Sequence, residues 1–300
     1  MTRARASAPA LLWAVLAFAL SACRTAPGPA PEPPDIGAWI EGMAARAEEV
    51  QNVQADGRLD YHEGKRHEWA DLIWTAERPD RAVFELTSPA GLVAVAALDG
   101  RTARVYDARE RRGFEGPADS RALLARLPWP LDPADLVPVL CAAPAPLPGA
   151  RSAPEYDEQR RRWSVKLADP GGRRLQTLWF DPDGRLSRVR LFERDRGVLY
   201  EAVFLGWRVF GDGQPPYPEE LRLSHPRSGT DLALKVRRAA LSGTPLDPDL
   251  FRLDFPPGTP VERAEAQDAA PARAGLAERR GGVLFEEEGS GGPDRNGRTP

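Results

Sequence analysis

Three histidines, two cysteines and one short aspartate cluster are the side chains here with metal-binding or nucleophilic chemistry to offer. His62 and His67 stand either side of the Glu63-Gly64 turn, close enough to meet across a hairpin, while His225 lies far along the chain. Spacing fixes no third ligand beside the pair, and a zinc site needs three or four. Asp181-Pro182-Asp183-Gly184 opens like a calcium loop but lacks the later oxygen ligands and the closing glutamate, so it reads as a turn. Cys141 sits in the apolar run Val139-Leu140-Cys141-Ala142, which suits a buried inert thiol. A nucleophilic cysteine wants a basic, partly exposed setting. Gly-rich phosphate loops, a Gly-x-Ser-x-Gly elbow and paired catalytic signatures do not occur. The expectation is a protein without enzymatic activity, metal or dissociable cofactor.

The remaining cysteine has a different chemistry. Arg3 and Arg5 precede an uncharged apolar run from Ala8 to Ala19, and Leu20-Ser21-Ala22-Cys23 closes it. That is the layout of a secretory signal peptide, and its end resembles a bacterial lipoprotein lipobox. The resemblance implies cleavage before Cys23 and acylation of that residue, so covalent acyl chains on Cys23 are the only prosthetic group expected. Acyl chains bury about 0.8 kcal/mol per CH₂ in lipid, and two or more hold a soluble domain stably on a membrane. The apolar run is short for a span, which takes roughly 20 residues.

The formal net charge is -3, with 28 % charged and 42 % hydrophobic residues. That suits a globular domain with polar tails, and a mildly acidic chain gives no general electrostatic argument for nucleic acid. With Cys23 acylated, Cys141 has no disulfide partner and the domain depends on its core.

Elements follow from local pattern. Residues 23–34 form a Pro-rich tether, extended and semi-rigid. Asp35 caps a helix whose apolar stripe is Ile36, Trp39, Ile40, Met43, Ala47 and Val50, with Glu41, Arg46 and Glu49 opposite. From Asn52 the period becomes that of strands, at about 52–62, 65–77, 81–87, 92–98 and 101–108 with a short one near 112–115. Two helices interrupt, Pro117 to Ala125 and Pro133 to Cys141, joined through Pro128-Trp129-Pro130. Strands resume at about 161–167, 174–181, 186–193, 198–207, 219–224 and 231–241. Pro248 to Phe251 reads as one helical turn, with Phe251, Leu253 and Phe255 closing the core. Residues 262–300 read as a disordered tail, leaving 35–261 as the folded domain.

Short turns between neighbouring strands make an antiparallel meander, and an open sheet of about 11 strands curls. The strand 198–207 is apolar on both sides (Tyr200, Ala202 and Phe204 against Leu199, Val203, Leu205 and Trp207), which asks for cover on both faces. The fold class expected is mainly β (α+β): a curved antiparallel sheet forming an incomplete barrel with a helical lid. The interior is either an apolar cavity or a filled core. Lid and lining candidates are Leu123, Leu124, Leu136, Val137 and Leu140 with Trp74 and Trp179; any single tryptophan serves equally as core filler.

The run Leu86-Thr87-Ser88-Pro89-Ala90-Gly91, the next apolar strand, Asp99-Gly100 and the helical pair ending at Leu140 resemble the LolB-like outer-membrane lipoproteins of the LolA/LolB superfamily. The resemblance covers about residues 35–260 and implies an unclosed barrel with a helical lid over an apolar cavity. It implies a receptor that binds acyl chains or lipoproteins, with membrane lipid, lipoproteins and a LolA-like periplasmic carrier as partners. It also implies residence as a monomer on the periplasmic face of the outer membrane, and Arg24 rather than an aspartate follows the acylated cysteine. A sensing module or a structural lipoprotein of the same fold is the alternative. In that family an exposed leucine in the turn after the third strand touches the membrane. Here Ala90 holds the place, with Leu92 two residues on, and alanine buries far less apolar area.

Cells expressing the chain should incorporate radioactive fatty acid into it, and Cys23→Ala should abolish the label and release the protein from membranes. An unlabelled wild-type protein would remove the lipoprotein reading.

Overall fold

The computed structural model describes residues 32, 34–118, 126 and 131–264. The leader, most of the tether, the helix expected up to Ala125 with Leu123 and Leu124, the Pro128-Trp129-Pro130 corner and the tail from residue 265 lie outside the described residues. The elements in chain order are helix α1 (Ile36–Glu49), strands β1 (Asn52–Glu63), β2 (Arg66–Glu77), β3 (Arg81–Ser88), β4 (Gly91–Asp99), β5 (Thr102–Asp107) and β6 (Arg112–Pro117), and helix α2 (Pro133–Leu140). Then come β7 (Glu155–Asp157), β8 (Arg162–Ala168), β9 (Arg174–Phe180), β10 (Leu186–Glu193), β11 (Gly197–Arg208), β12 (Tyr217–His225), β13 (Thr230–Ser242), a 3-10 turn (Pro248–Phe251) and β14 (Val261–Arg263).

Among the described residues all the strands belong to one 14-stranded open sheet, ordered β14-β6-β5-β4-β3-β2-β1-β13-β12-β11-β10-β9-β8-β7. Hairpins build β1–β6 and β7–β13 as two meanders, and the antiparallel pairing of β1 with β13 joins them. The two strands beyond sequence expectation are β7 and β14, three residues each. Segments that short carry too little periodicity to read. β14 pairs parallel with β6, and Ala264 N–H donates to the Glu115 carbonyl, so regular pairing runs past Val261.

Period-2 alternation gives the sheet one apolar face. Along β1, Val53, Ala55, Leu59 and Tyr61 are buried. Register sets Ala76, Trp74 and Ala70 of β2 and Leu241, Ala239, Leu234 and Leu232 of β13 beside them. The same face continues through Phe84 and Leu86, and on the other side through Phe204, Val189, Leu178 and Val165. The opposite face carries ion pairs such as Arg104–Glu115, Arg190–Glu201 and Lys235–Asp60 at 2.5 to 3.0 Å. This corrects the expectation that both faces need full cover. In β11, Val203 and Leu205 are only half-buried, while Ala202 and Phe204 are sealed; Trp207, after Gly206 at φ 64°, packs back against Phe204 with ring centroids 5.9 Å apart. A half-buried apolar side chain beside the stems of Arg and Glu satisfies this face.

The curl follows from what α2 touches. It packs on β2 and β3, lies over Leu221 of β12 and Leu234 of β13, and pairs Asp135 with Arg174 of β9. From β3 to β9 there are seven strand spacings in the sheet order, about 34 Å if flat at 4.8 Å each. An eight-residue helix is about 12 Å long. The sheet must therefore wrap around it, and the result is an incomplete barrel with α2 inside its curve.

α1 starts as its cap predicts: the Asp35 carboxylate accepts from the Ala38 N–H at 3.1 Å. Ile36, Met43 and Ala47 are buried, and Trp39 meets Phe180 of β9 with ring centroids 5.4 Å apart. After β13 the chain crosses the other face. Phe251 is buried beside β3 and β4, under the Arg81 guanidinium at 5.0 Å, and stands apart from the interior cluster. It seals the outer side of that sheet half instead of closing the core, because Arg81 and its partner Glu77 lie on the face of exposed Ile73.

At the β1–β13 junction a bulge falls between Asp56 and Gly57, and a Cβ on Gly57 would stand 2.2 Å from the Lys235 carbonyl oxygen. Gly57→Ala should therefore lower stability by about 2 kcal/mol or more. Gly42→Ala, in open space on α1, should raise it by up to about 1 kcal/mol. Urea denaturation of both variants reads the contrast, and equal effects would mean the close approach is not rigid.

Candidate functional site

The interior is the candidate site, and its floor is built by rows of paired residues. Across β12, β13, β1 and β2 one row is Leu221, Leu234, Leu59 and Ala70, and the next is Leu223, Leu232, Tyr61 and Glu68. α2 lies on this floor with Leu136, Val137, Val139 and Leu140 buried, so the lid candidates Leu136, Val137 and Leu140 sit inside the curve of the sheet. Trp74 is sealed on the same face. The seam between Leu136, Val139, Leu140 and the leucines of β12 and β13 holds a cavity of only about 10 Å³. Of the two interiors left open by the sequence, this conformation has the filled one. The reason is direct: α2 itself occupies the space.

The connection is fastened by side chains that reach its backbone. Arg46 of α1 donates from Nε to the Ala142 carbonyl and from Nη2 to the Pro216 carbonyl, both at 2.9 Å, with its guanidinium 5.0 Å from the Trp207 ring. Arg78, at the end of β2, donates to the Ala143 carbonyl, and the Tyr217 hydroxyl donates to the Leu140 carbonyl. Gln176, buried on the inner face of β9, donates to the Ala145 carbonyl at 3.1 Å and accepts from the Leu147 N–H at 2.9 Å. At the other end of α2, the two Asp135 carboxylate oxygens each lie 3.5 Å from Arg174. Hydrogen bonds that involve charged groups contribute roughly 1.5–3 kcal/mol each.

Arg46 corrects the expected helix face: it points inward rather than to solvent with Glu41 and Glu49. Its place four before Val50 and three after Met43 was the available signal. Gln176 had one too, since it interrupts the apolar alternation with Leu178 and Phe180. Arg78 and Tyr217 carried none, because their bonds go to backbone atoms of a distant segment, and Arg174 reaches the side chain of Asp135, 39 residues away.

Burial sets the titration of this cluster. It pushes the Cys141 thiol up to about 12, with Arg78 and Arg46 acting the other way. Burial likewise keeps Tyr217 and Tyr200 neutral by raising them well above the ordinary phenol value. It raises the Asp135 carboxyl against the pull of Arg174. It draws the Arg46 and Arg78 guanidinium groups down from their ordinary value, which is high enough that arginine stays charged in proteins. Cys141 is buried as its context predicted, with its Sγ 3.9 Å from the Ala76 carbonyl.

Other expected residues fall elsewhere. Trp179 lies on the outer face between Arg188 and Arg190, each about 5.5 Å away, so it does not line the interior. The parity of β9 decides this, since Leu178 and Phe180 point inward. Ala90 and Leu92 are exposed at the β3–β4 turn. His62 and His67 stack with centroids 4.1 Å apart, and among the described residues no three candidate metal ligands cluster. Asp181 to Gly184 is a turn with Gly184 at φ 81°. A second hollow, about 280 Å³, lies at the free edge of the sheet over Val105 and Phe114, walled by Asp107, Arg112, Arg126 and Glu262. Charged walls suit an acyl chain poorly.

No family model matches this chain, and no curated protein matches it. Among solved structures it is similar to a DUF1329 family protein from Desulfovibrio piger, at 12 % identity over 72 % of this chain and 97 % of that one, TM-score 0.49. It is also similar to a LolA superfamily protein from Nitrosomonas europaea, at 12 % identity over 72 % and 98 %, TM-score 0.47. A putative outer membrane lipoprotein-sorting protein domain from Vibrio parahaemolyticus gives 11 % identity over 71 % and 94 %, TM-score 0.46.

Cys141 reports on the fastening. In the chain from Arg24 onward it is the only thiol. With its pKa near 12, the thiolate fraction at pH 8 is about 1,000-fold below that of a free cysteine. A thiol reagent should therefore label it slowly. Arg78→Met should speed labelling at least about tenfold, the loss of one charge-assisted bond, with an unchanged circular dichroism spectrum. An unchanged labelling rate would mean that Arg78 does not hold the connection down.

Proposed function

We propose that the protein is an envelope lipoprotein, held by acyl chains on Cys23 at the periplasmic face of the outer membrane, that binds acyl chains of lipids or lipoproteins between α2 and the inner face of the sheet. A LolB-like receptor that takes lipoproteins from a LolA-like carrier is the specific form of this reading. The observation that carries it is the continuous apolar face of a curled sheet, covered over β12 and β13 by α2, with the residues that follow it, Ala142 to Leu147, fastened through side-chain bonds.

Ligand pockets run to about 300–1,000 Å³, so a ligand enters only where α2 leaves. The exchange is close to balanced. Leu136, Val137, Val139 and Leu140 each contribute roughly 1.5–3 kcal/mol when buried. An acyl chain of some 12 methylenes contributes about 10 kcal/mol at 0.8 kcal/mol each. The tight seam favours a second reading, a structural envelope lipoprotein whose interior never opens.

A fluorescent acylglycerol titrated into the chain from Arg24 onward separates the two. Arg46→Met, which loosens α2 without touching the floor, should raise affinity several-fold. Leu234→Asp, a carboxylate in the floor, should abolish binding while circular dichroism still reports a folded sheet. If neither the parent chain nor Arg46→Met binds a displaceable probe, the structural lipoprotein reading stands.

A further inference from the structure

The seam beneath α2 has a direction. Leu223 and Leu232 line it, and two residues further along the same face of the same strands, about 7 Å on, stand His225 and Thr230. Register continues this row with Glu63 of β1 and Arg66 of β2. Behind it, Tyr61 and Glu68 face each other in the row of Leu232 and Leu223. The apolar floor therefore ends in a polar margin across four strands.

The margin is bonded into a chain. The Tyr61 hydroxyl donates to Glu63 at 2.9 Å, and Arg66 pairs with the buried Glu68. The Ser228 hydroxyl lies 2.8 Å from that of Thr230 and 2.7 Å from His225 Nδ1. Burial and the Glu63 carboxylate push the Tyr61 phenol up to about 12. His225 is drawn below its ordinary value by burial and by nearby Arg227, which keeps it neutral. Arg66 is matched by the buried Glu68 and exposed Arg227 lies near the His225 end, so the exposed Glu63 carboxylate is the charge that a head group meets at the β1–β2 end of the row.

We propose that the row Arg66, Glu63, Thr230 and His225, backed by Tyr61 and Glu68, receives the head of the acyl ligand and selects a neutral, hydrogen-bond-donating head such as glycerol or an amide over a carboxylate. This inference rests on the acyl-binding reading above. A donor head meets the Glu63 carboxylate and the row's hydroxyl oxygens as acceptors. A carboxylate head there meets a like charge near the surface, and juxtaposed like charges discriminate strongly between partners.

Competition with the fluorescent acylglycerol tests it, using 1-decanoylglycerol and decanoate below their aggregation concentrations. The glycerol ester should displace the probe at least about tenfold more effectively, the scale of one like-charge contact in a partly wet site. Glu63→Gln should shrink that ratio to within about threefold by strengthening decanoate alone. Glu85→Gln, a carboxylate of β3 on the outer face, controls for net charge and should leave the ratio unchanged. Equal displacement in the parent chain, or a ratio that Glu63→Gln leaves intact, overturns the headgroup row while acyl binding stands. A parent chain and an Arg46→Met variant that both fail to bind the probe overturn acyl binding and this inference together.

Discussion

Twelve residue pairs between β1 and β13 hold together two meanders whose members are otherwise neighbours in sequence. Asn52 meets Ser242 and Glu63 meets Thr230, so this seam closes almost the whole length of the chain between them. Contacts of that separation pay their loop entropy before any local reward. Everything in the interior depends on it. The floor under α2 is half β12 and β13 and half β1 and β2, so without the seam there is no floor, no curl around α2 and no polar margin. The glycine at its bulge is the local expression of that dependence, because the Lys235 carbonyl occupies the space a side chain would take.

A wide sheet with one apolar face has to cover it, and here the cover divides into parts of different character. α1 packs through Trp39 and Met43, with Arg46 reaching over to the segment after α2. α2 and the following residues bring eight-residue amphipathic packing and then bare backbone carbonyls, which Arg46, Arg78, Gln176 and Tyr217 capture. Backbone acceptors captured by long side chains make a fastening that is specific in place but modest in strength. It holds residues 142–147 down over the sheet, ahead of the backbone bonds to β8 at Ala150 and Ser152. The charged outer face needs no such cover, since its cross-strand pairs keep their heads in water.

Most of the fold was legible because alternation and turns report it directly. Asp99-Gly100, Asp181 to Gly184 and the β-branched runs between them fixed hairpins and therefore neighbours. What the sequence could not report was the partner of each long-range pairing, the three-residue edge strands β7 and β14, and the parity of a strand such as β11 that looks apolar on both sides. Parity becomes visible only with the charged neighbours: Arg188, Arg190 and Glu201 mark one face of β9–β11 as wet, and Trp179 goes with them. Within the site, Leu136, Val137 and Leu140 were readable from their helical stripe. The fastening residues were not, since an arginine that bonds to a backbone carbonyl 65 or 96 residues away leaves no pattern at either end.

The filled seam and an acyl-binding role are compatible because of what fills it. A core closed by strands would have to break backbone ladders to admit a ligand, and each ladder bond left unmade inside costs a desolvation penalty of roughly 1–3 kcal/mol. α2 would keep its own backbone bonds on leaving, and an acyl chain would replace the burial of its side chains at similar free energy. The fastenings at Ala142, Ala143 and Ala145 would then decide how far that balance leans towards the closed form. The polar margin at Glu63 and Thr230 lies outside that exchange, beyond the last leucines of the floor. Its hydrogen bonds run among its own residues, from Tyr61 to Glu63, between Arg66 and Glu68 and between Ser228 and Thr230, so in the proposed exchange it would be the feature against which a head group is read.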